Sequence, residues 1–221
     1  MAGVVLKLII SICCVIGTIG YSRALINYLG FNINLMPEGF AVFALGCLLY
    51  TLLWIFVFSR RDKFWSVLEH EMTHLLFAIL FFKKVHSFNA IRGSGGSVEI
   101  EGDNFVIALA PYFFPLATII ILVIKPSFPL NVQWLFNGLL GFSLMFHIIS
   151  LFKEFHPDQP DLRRSGMLFS STVILFFNLF FVGLCIASLQ GSWADMWDYV
   201  QFGFNKSVAI VERFAGLFIR V

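Results

Sequence analysis

The sequence predicts an all-α polytopic membrane protein, one integral domain of about six transmembrane helices interrupted by a short β-hairpin or re-entrant extended segment. Three observations carry this expectation. Hydrophobic residues make up 59% of the chain and charged residues only 13%, whereas a soluble domain is about a quarter charged. The mean hydropathy is +0.87. Six apolar runs recur along the chain, each close to the ~20 residues that cross a bilayer. The net charge of +2 comes without a long basic run, which points away from nucleic acid. Cys13, Cys14, Cys47 and Cys185 all lie in apolar runs and form no CxxC pair. They read as small hydrophobes, not as a disulfide framework or a cysteine metal site.

The first run, residues 3–20, ends at Gly20 without a small-x-small cleavage site, so a retained helix is expected rather than a signal peptide. Residues 21–38 are mixed and partly amphipathic, closing on the helix-start pair Pro37-Glu38. The second run covers 40–58. Arg60-Arg61-Asp62-Lys63 follows as a basic turn, expected on the cytoplasmic side. The third run is 64–82. After it, Val85, Phe88 and Ile91 lead into Gly93-Ser94-Gly95-Gly96, and Val98-Glu99-Ile100-Glu101 alternates as a strand does. That pattern predicts a hairpin around a glycine turn. The fourth and fifth runs, 105–124 and 132–152, precede a polar loop over 153–166 that is punctuated by Pro157 and Pro160. The sixth run is 167–189. Beyond about residue 190, Trp193, Trp197, Tyr199 and Phe202 alternate with Asp195, Asp198 and Lys206, which suits an amphipathic interfacial helix. The expected organisation is a central core over about 60–185, two accessory helices within 1–58, and an interfacial tail over 190–221.

The third run contains His70-Glu71-Met72-Thr73-His74. On a helix, residues four apart share a face, so both imidazoles reach one zinc ion. The glutamate between them stands beside that ion, placed to take a proton from a zinc-activated water. Ionisable side chains are expensive in hydrocarbon and mark a functional site by default. The bland alternative is a polar seam between helices made by Glu69, His70, Glu71 and His74. A catalytic zinc needs a third protein ligand and an open position. Asp158 and Asp161, in His156-Pro157-Asp158-Gln159-Pro160-Asp161, are the main candidates. Glu154, His156, His147 and His86 are the remaining ones, and a lone histidine in such settings is more often a packing residue.

These features resemble the site-2 protease family of intramembrane zinc metallopeptidases, in its small and divergent form. The resemblance rests on His70 to His74 in a membrane run, the glycine-containing extended segment over 93–101, and Ala108-Leu109-Ala110-Pro111. Asn137-Gly138-Leu139-Leu140-Gly141-Phe142 and the downstream aspartates extend it, so that it covers about 60–185. Thr73 replaces the family's usual glycine, and the usual Asn-Pro-x-Pro-x-Asp-Gly is absent. The resemblance implies a multi-pass protein of a bacterial inner membrane that hydrolyses peptide bonds within or near transmembrane segments of membrane-anchored proteins. It implies one zinc ion held by His70, His74 and an aspartate, with Glu71 as general base. Asp161 is preferred because it stands at a helix start ahead of the last run, and Asp158 remains the alternative. Asn137 is the candidate for an amide donor to the scissile carbonyl, with a helix-to-helix hydrogen bond as its other reading. The extended segment over 85–101 is the candidate substrate strand, receiving an unwound peptide by β-addition.

Counting crossings creates a conflict. His70 lies about 10 Å from the basic turn at 1.5 Å per residue. Three full crossings then place Asp161 across the ~30 Å core, unless the hairpin folds back or the 153–166 loop dips inward. A rival reading is a non-proteolytic metal-binding scaffold or transporter component. Glu71 argues against it, since metal binding alone needs no free carboxylate between the histidines. A zinc hydrolase acting on a lipid or another non-peptide substrate is a further rival.

Overall fold

The computed structural model describes residues 2–60, 63–92, 95–102 and 104–219. Arg61 and Asp62 of the basic turn, and Gly93 and Ser94 of the glycine turn, lie outside the described residues. The first apolar run and the mixed stretch after it form one helix, α1 (Ala2–Leu35). Nothing breaks it before Pro37. Within it, the Thr18 and Ser22 hydroxyls donate to carbonyls four residues earlier. The chain continues as α2 (Pro37–Phe56) and α3 (Phe64–Leu80). The strands β1 (Val85–Ile91) and β2 (Gly95–Ile100) follow. Next come α4 (Phe105–Phe113), α5 (Leu116–Ile124), α6 (Gln133–Glu154) and α7 (Pro160–Ser165). The last two helices are α8 (Met167–Ser188) and α9 (Trp193–Ile219).

Four helices among the described residues are long and apolar enough to cross a membrane: α1, α2, α6 and α8. A fifth is available if α4 and α5, bent by 74° at their junction, count as one span. The apolar run over 64–82 yields a helix of only 17 residues. The run over 105–124 breaks because Pro115 has no N–H to donate and forces the residue before it out of the helical region. Phe114 accordingly sits at φ −104°, ψ 101°.

The helices pack in two parallel pairs. Along α2 and α6, Gly46 faces the Gly138 carbonyl and Gly141 faces the Phe43 carbonyl, both too closely to admit a Cβ. Small residues let the backbones meet there and gain close dispersion contacts. Along α1 and α8, the Lys7 ammonium donates to the Ser165 carbonyl just before α8, and Asn32 donates to the Ile186 carbonyl near its end. The amphipathic tail becomes α9, whose fully buried Tyr199 packs edge-on against Tyr21 and Tyr28 of α1.

β1 and β2 form the expected antiparallel hairpin, with Phe88 opposite Val98 and Ile91 opposite Gly95. The hairpin folds back along α3. At its base, the Lys83 N–H donates to the Ala78 carbonyl. Near its tip, Arg92 lies over the Phe64 ring and Gly96 lies against Val67 and Glu71. The helix order brings Asp161 to the end of the bundle that holds His70. Phe105 meets Phe169 at the start of α8, and Lys125 meets Ser188 at its end, so α4 and α5 run the length of α8. α6 then returns beside α5, where Thr118 donates to Ser143, and ends with Glu154 bonded to Ser66 of α3. This out-and-back path brings α7 to the end of the bundle where α3 begins.

Candidate metal centre

His70 and His74 project from α3 toward α7, one turn apart. Their Nε2 atoms are 3.2 Å from each other. Asp161 Oδ2 lies 3.5 Å from His74 Nε2 and 3.9 Å from His70 Nε2. Among the described residues these three form a group whose ligand atoms all fall within 4.8 Å of one another. Pro160 occupies the first turn of α7, where its missing N–H is not needed, and this sets Asp161 at the helix start.

The outer nitrogens of both rings are committed. His70 Nδ1 lies 2.8 Å from Glu154 Oε2, and Ser66 donates to the other oxygen of that carboxylate. His74 Nδ1 lies 2.9 Å from the Ile107 carbonyl oxygen. Carboxylates and carbonyls only accept, so each Nδ1 is the donor and each neutral ring presents its Nε2 lone pair inward. The Ile107 carbonyl is available for a sequence reason. Its helical partner four residues on is Pro111, which has no N–H. Asn104 caps the same helix, accepting from the Val106 and Ile107 N–H groups at 2.9 and 3.0 Å, and so holds that carbonyl in place.

Two imidazole lone pairs and a carboxylate therefore converge with no fixed donor among them. A proton or a cation must sit between them. Burial by itself raises the Asp161 carboxyl, but a proton carried on the facing imidazoles outweighs that and holds it well below the usual carboxylate range. Tetrahedral zinc with bonds of about 2.0–2.1 Å sets its ligand atoms about 3.3 Å apart. Two of the observed separations, 3.2 and 3.5 Å, lie near that spacing, and the third, 3.9 Å, is wider. The carboxylate–histidine and carbonyl–histidine pairs are of the kind that orients imidazoles toward a metal. Tyr112, 1% exposed, closes one side, its ring edge-on to His70 at 5.3 Å and its hydroxyl 3.5 Å from Asp161 Oδ2.

Glu71 lies on the flank of the histidine face, against strand β2. A Cβ at Gly96 would stand 2.5 Å from Glu71 Cγ and 2.7 Å from Val67 Cγ1. The strand thus restricts the rotamers of Glu71, and Gly96→Val is expected to displace that carboxylate. Metal content should hold while any hydrolytic rate falls about tenfold or more, the sensitivity expected of a misplaced catalytic group. Ser97→Val on the same strand, away from Glu71, is the control, and equal loss in both would remove this role of Gly96. Glu69 has a different task. Its Oε1 accepts from the Ala117 N–H at 3.1 Å, satisfying an orphan donor at the start of α5 where the broken span exposes its backbone.

The other candidates lie elsewhere. Asp158 is exposed and pairs with His156 at 3.3 Å. His147 is buried against Asn178 at 3.2 Å, and His86 is exposed on β1. The structure does not bring Asn137 to this centre. It stands seventeen residues before Glu154 on α6, about 25 Å away along the axis, and packs beside Gly39. Glu154 is a ring partner and not a member of the inward triad. Its expected effect is measurable: Glu154→Ala should weaken zinc binding about 10–100-fold, read by chelator competition, and unchanged affinity would discount the contact. No protein-family model, curated protein or solved structure matches this chain.

Proposed function

We propose that the protein is a zinc-dependent intramembrane endopeptidase acting on membrane-anchored proteins, within or near their transmembrane segments. The observation that carries this reading is the convergence of His70, His74 and Asp161 beside Glu71, in a bundle of apolar helices. Two imidazoles and one carboxylate are a catalytic-zinc donor set with a position left open. When bound there, zinc polarises the scissile carbonyl and activates a water.

The chain's own residues divide the remaining work. The Glu71 carboxylate takes the proton of the attacking water and returns it to the leaving amine nitrogen as the C–N bond breaks. Glu154 and the Ile107 carbonyl hold the two rings in the tautomer that faces inward. The hairpin, folded back along α3, offers its outer edge to an unwound stretch of substrate. A transmembrane helix satisfies its own backbone, so it must be opened locally before it can be cut, and strand pairing compensates the broken bonds. In this reading α1, α2, the bent α4–α5 pair, α6 and α8 cross the membrane, and α3 with its hairpin re-enters from one side.

The test is cleavage in proteoliposomes, with a panel of single-span proteins carrying varied juxtamembrane sequences. Cleavage should stop with a zinc chelator and return when zinc is restored. A zinc-loaded protein that cuts no member of the panel would favour a non-proteolytic scaffold.

A further inference from the structure

A cavity lies behind α3, between α2, α5 and α6. It measures about 390 Å³, within the range of small-molecule sites. Its walls are mostly apolar, part aromatic and part aliphatic, with Phe142, Phe146 and Ile120 among them. Its polar groups segregate. Lys63 and Lys153 are both exposed and both line it, at the end of the bundle where α3 begins and α6 stops. The Lys153 ammonium lies 4.8 Å from the centroid of Trp54. Trp54 also lines the cavity, and its indole N–H is buried without an acceptor. The carboxylate in the wall, Glu69, sits deeper and is engaged by the Ala117 N–H.

We infer that this cavity holds an acyl chain of an anionic phospholipid, whose phosphate rests on Lys63 and Lys153. An apolar chamber with a rim of donors calls for a ligand with a hydrocarbon body and an anionic head. A soluble anion leaves the apolar wall unfilled. A transmembrane peptide satisfies its own backbone, and its cytoplasmic end carries excess Lys and Arg, which would meet the two lysines as like charges. A zwitterionic lipid brings a cation with its phosphate. The site is tied to the metal centre, because Ser66 lines the cavity and donates to Glu154, the partner of His70.

The test uses the full chain in phosphatidylcholine nanodiscs, with trace phosphatidylglycerol or trace phosphatidylcholine carrying a diazirine in one acyl chain. Adducts are mapped by peptide mass spectrometry, a readout independent of peptidase activity. Phosphatidylglycerol should label the segment around Phe142 and Phe146 at least about fivefold more than phosphatidylcholine does, with about a fivefold loss for each lysine removed. Lys63→Ala alone, outside any helix, is the variant least able to disturb folding, and Lys63→Ala with Lys153→Ala should abolish the preference. Labelling on the outward Trp134 face should not change. Equal labelling by the two lipids, or indifference to both lysines, would overturn the inference. Adducts displaced by a single-span peptide but not by unlabelled phosphatidylglycerol would overturn it in favour of a protein segment.

Discussion

Glu71→Gln is expected to keep one zinc per chain and to lower peptide cleavage by about 10²–10⁴-fold, the range lost with a general base. The amide preserves the shape of the side chain against Gly96 and Val67, so the fold and the triad are undisturbed. Only the ability to take a proton is lost. The glutamate is not among the three side chains that converge, so metal content and activity separate in this variant. Equal cutting by wild type and Glu71→Gln would remove Glu71 as the base. Loss of zinc along with activity would mean that the carboxylate acts as a ligand.

Asp161→Ala is expected to lower zinc affinity by more than the 10–100-fold typical of an outer-contact change, while Asp158→Ala leaves it unaltered. The contrast follows from position. Asp161 reaches both imidazoles, whereas Asp158 is exposed and turned to His156. Removing Asp161 also takes its carboxylate from beside two inward lone pairs, so the remaining pair binds weakly. Elemental analysis after size-exclusion chromatography reads both variants. Retained zinc in Asp161→Ala, or its loss in Asp158→Ala, would reverse the assignment.

Much of this architecture is legible in local pattern. Alternation around a glycine turn marks the hairpin, the i, i+4 spacing places His70 and His74 on one face, and Pro160 marks the helix start that carries Asp161. What is not legible depends on contacts between distant segments. Ser66 and His70 meet Glu154 across more than eighty residues, and no periodicity brings the end of α6 to the start of α3. The bent span is a different case. Pro111 and Pro115 stand inside the run over 105–124, yet composition alone reads it as continuous. Those prolines break the span, free the Ile107 carbonyl for His74, and expose the α5 start that Glu69 satisfies. The depth of α3 depends likewise on the hairpin folding back, which alternation cannot reveal. Asn137 shows the limit from the other side, since a buried amide in an apolar run does not say which end of its helix faces the site.

X-ray absorption at the zinc edge of the purified wild-type protein tests the central claim most directly. The account predicts one zinc per chain with two imidazole nitrogens and carboxylate oxygen at about 2.0–2.2 Å, and no sulfur shell. A metal-free protein, or zinc with a sulfur shell at about 2.3 Å, would contradict it.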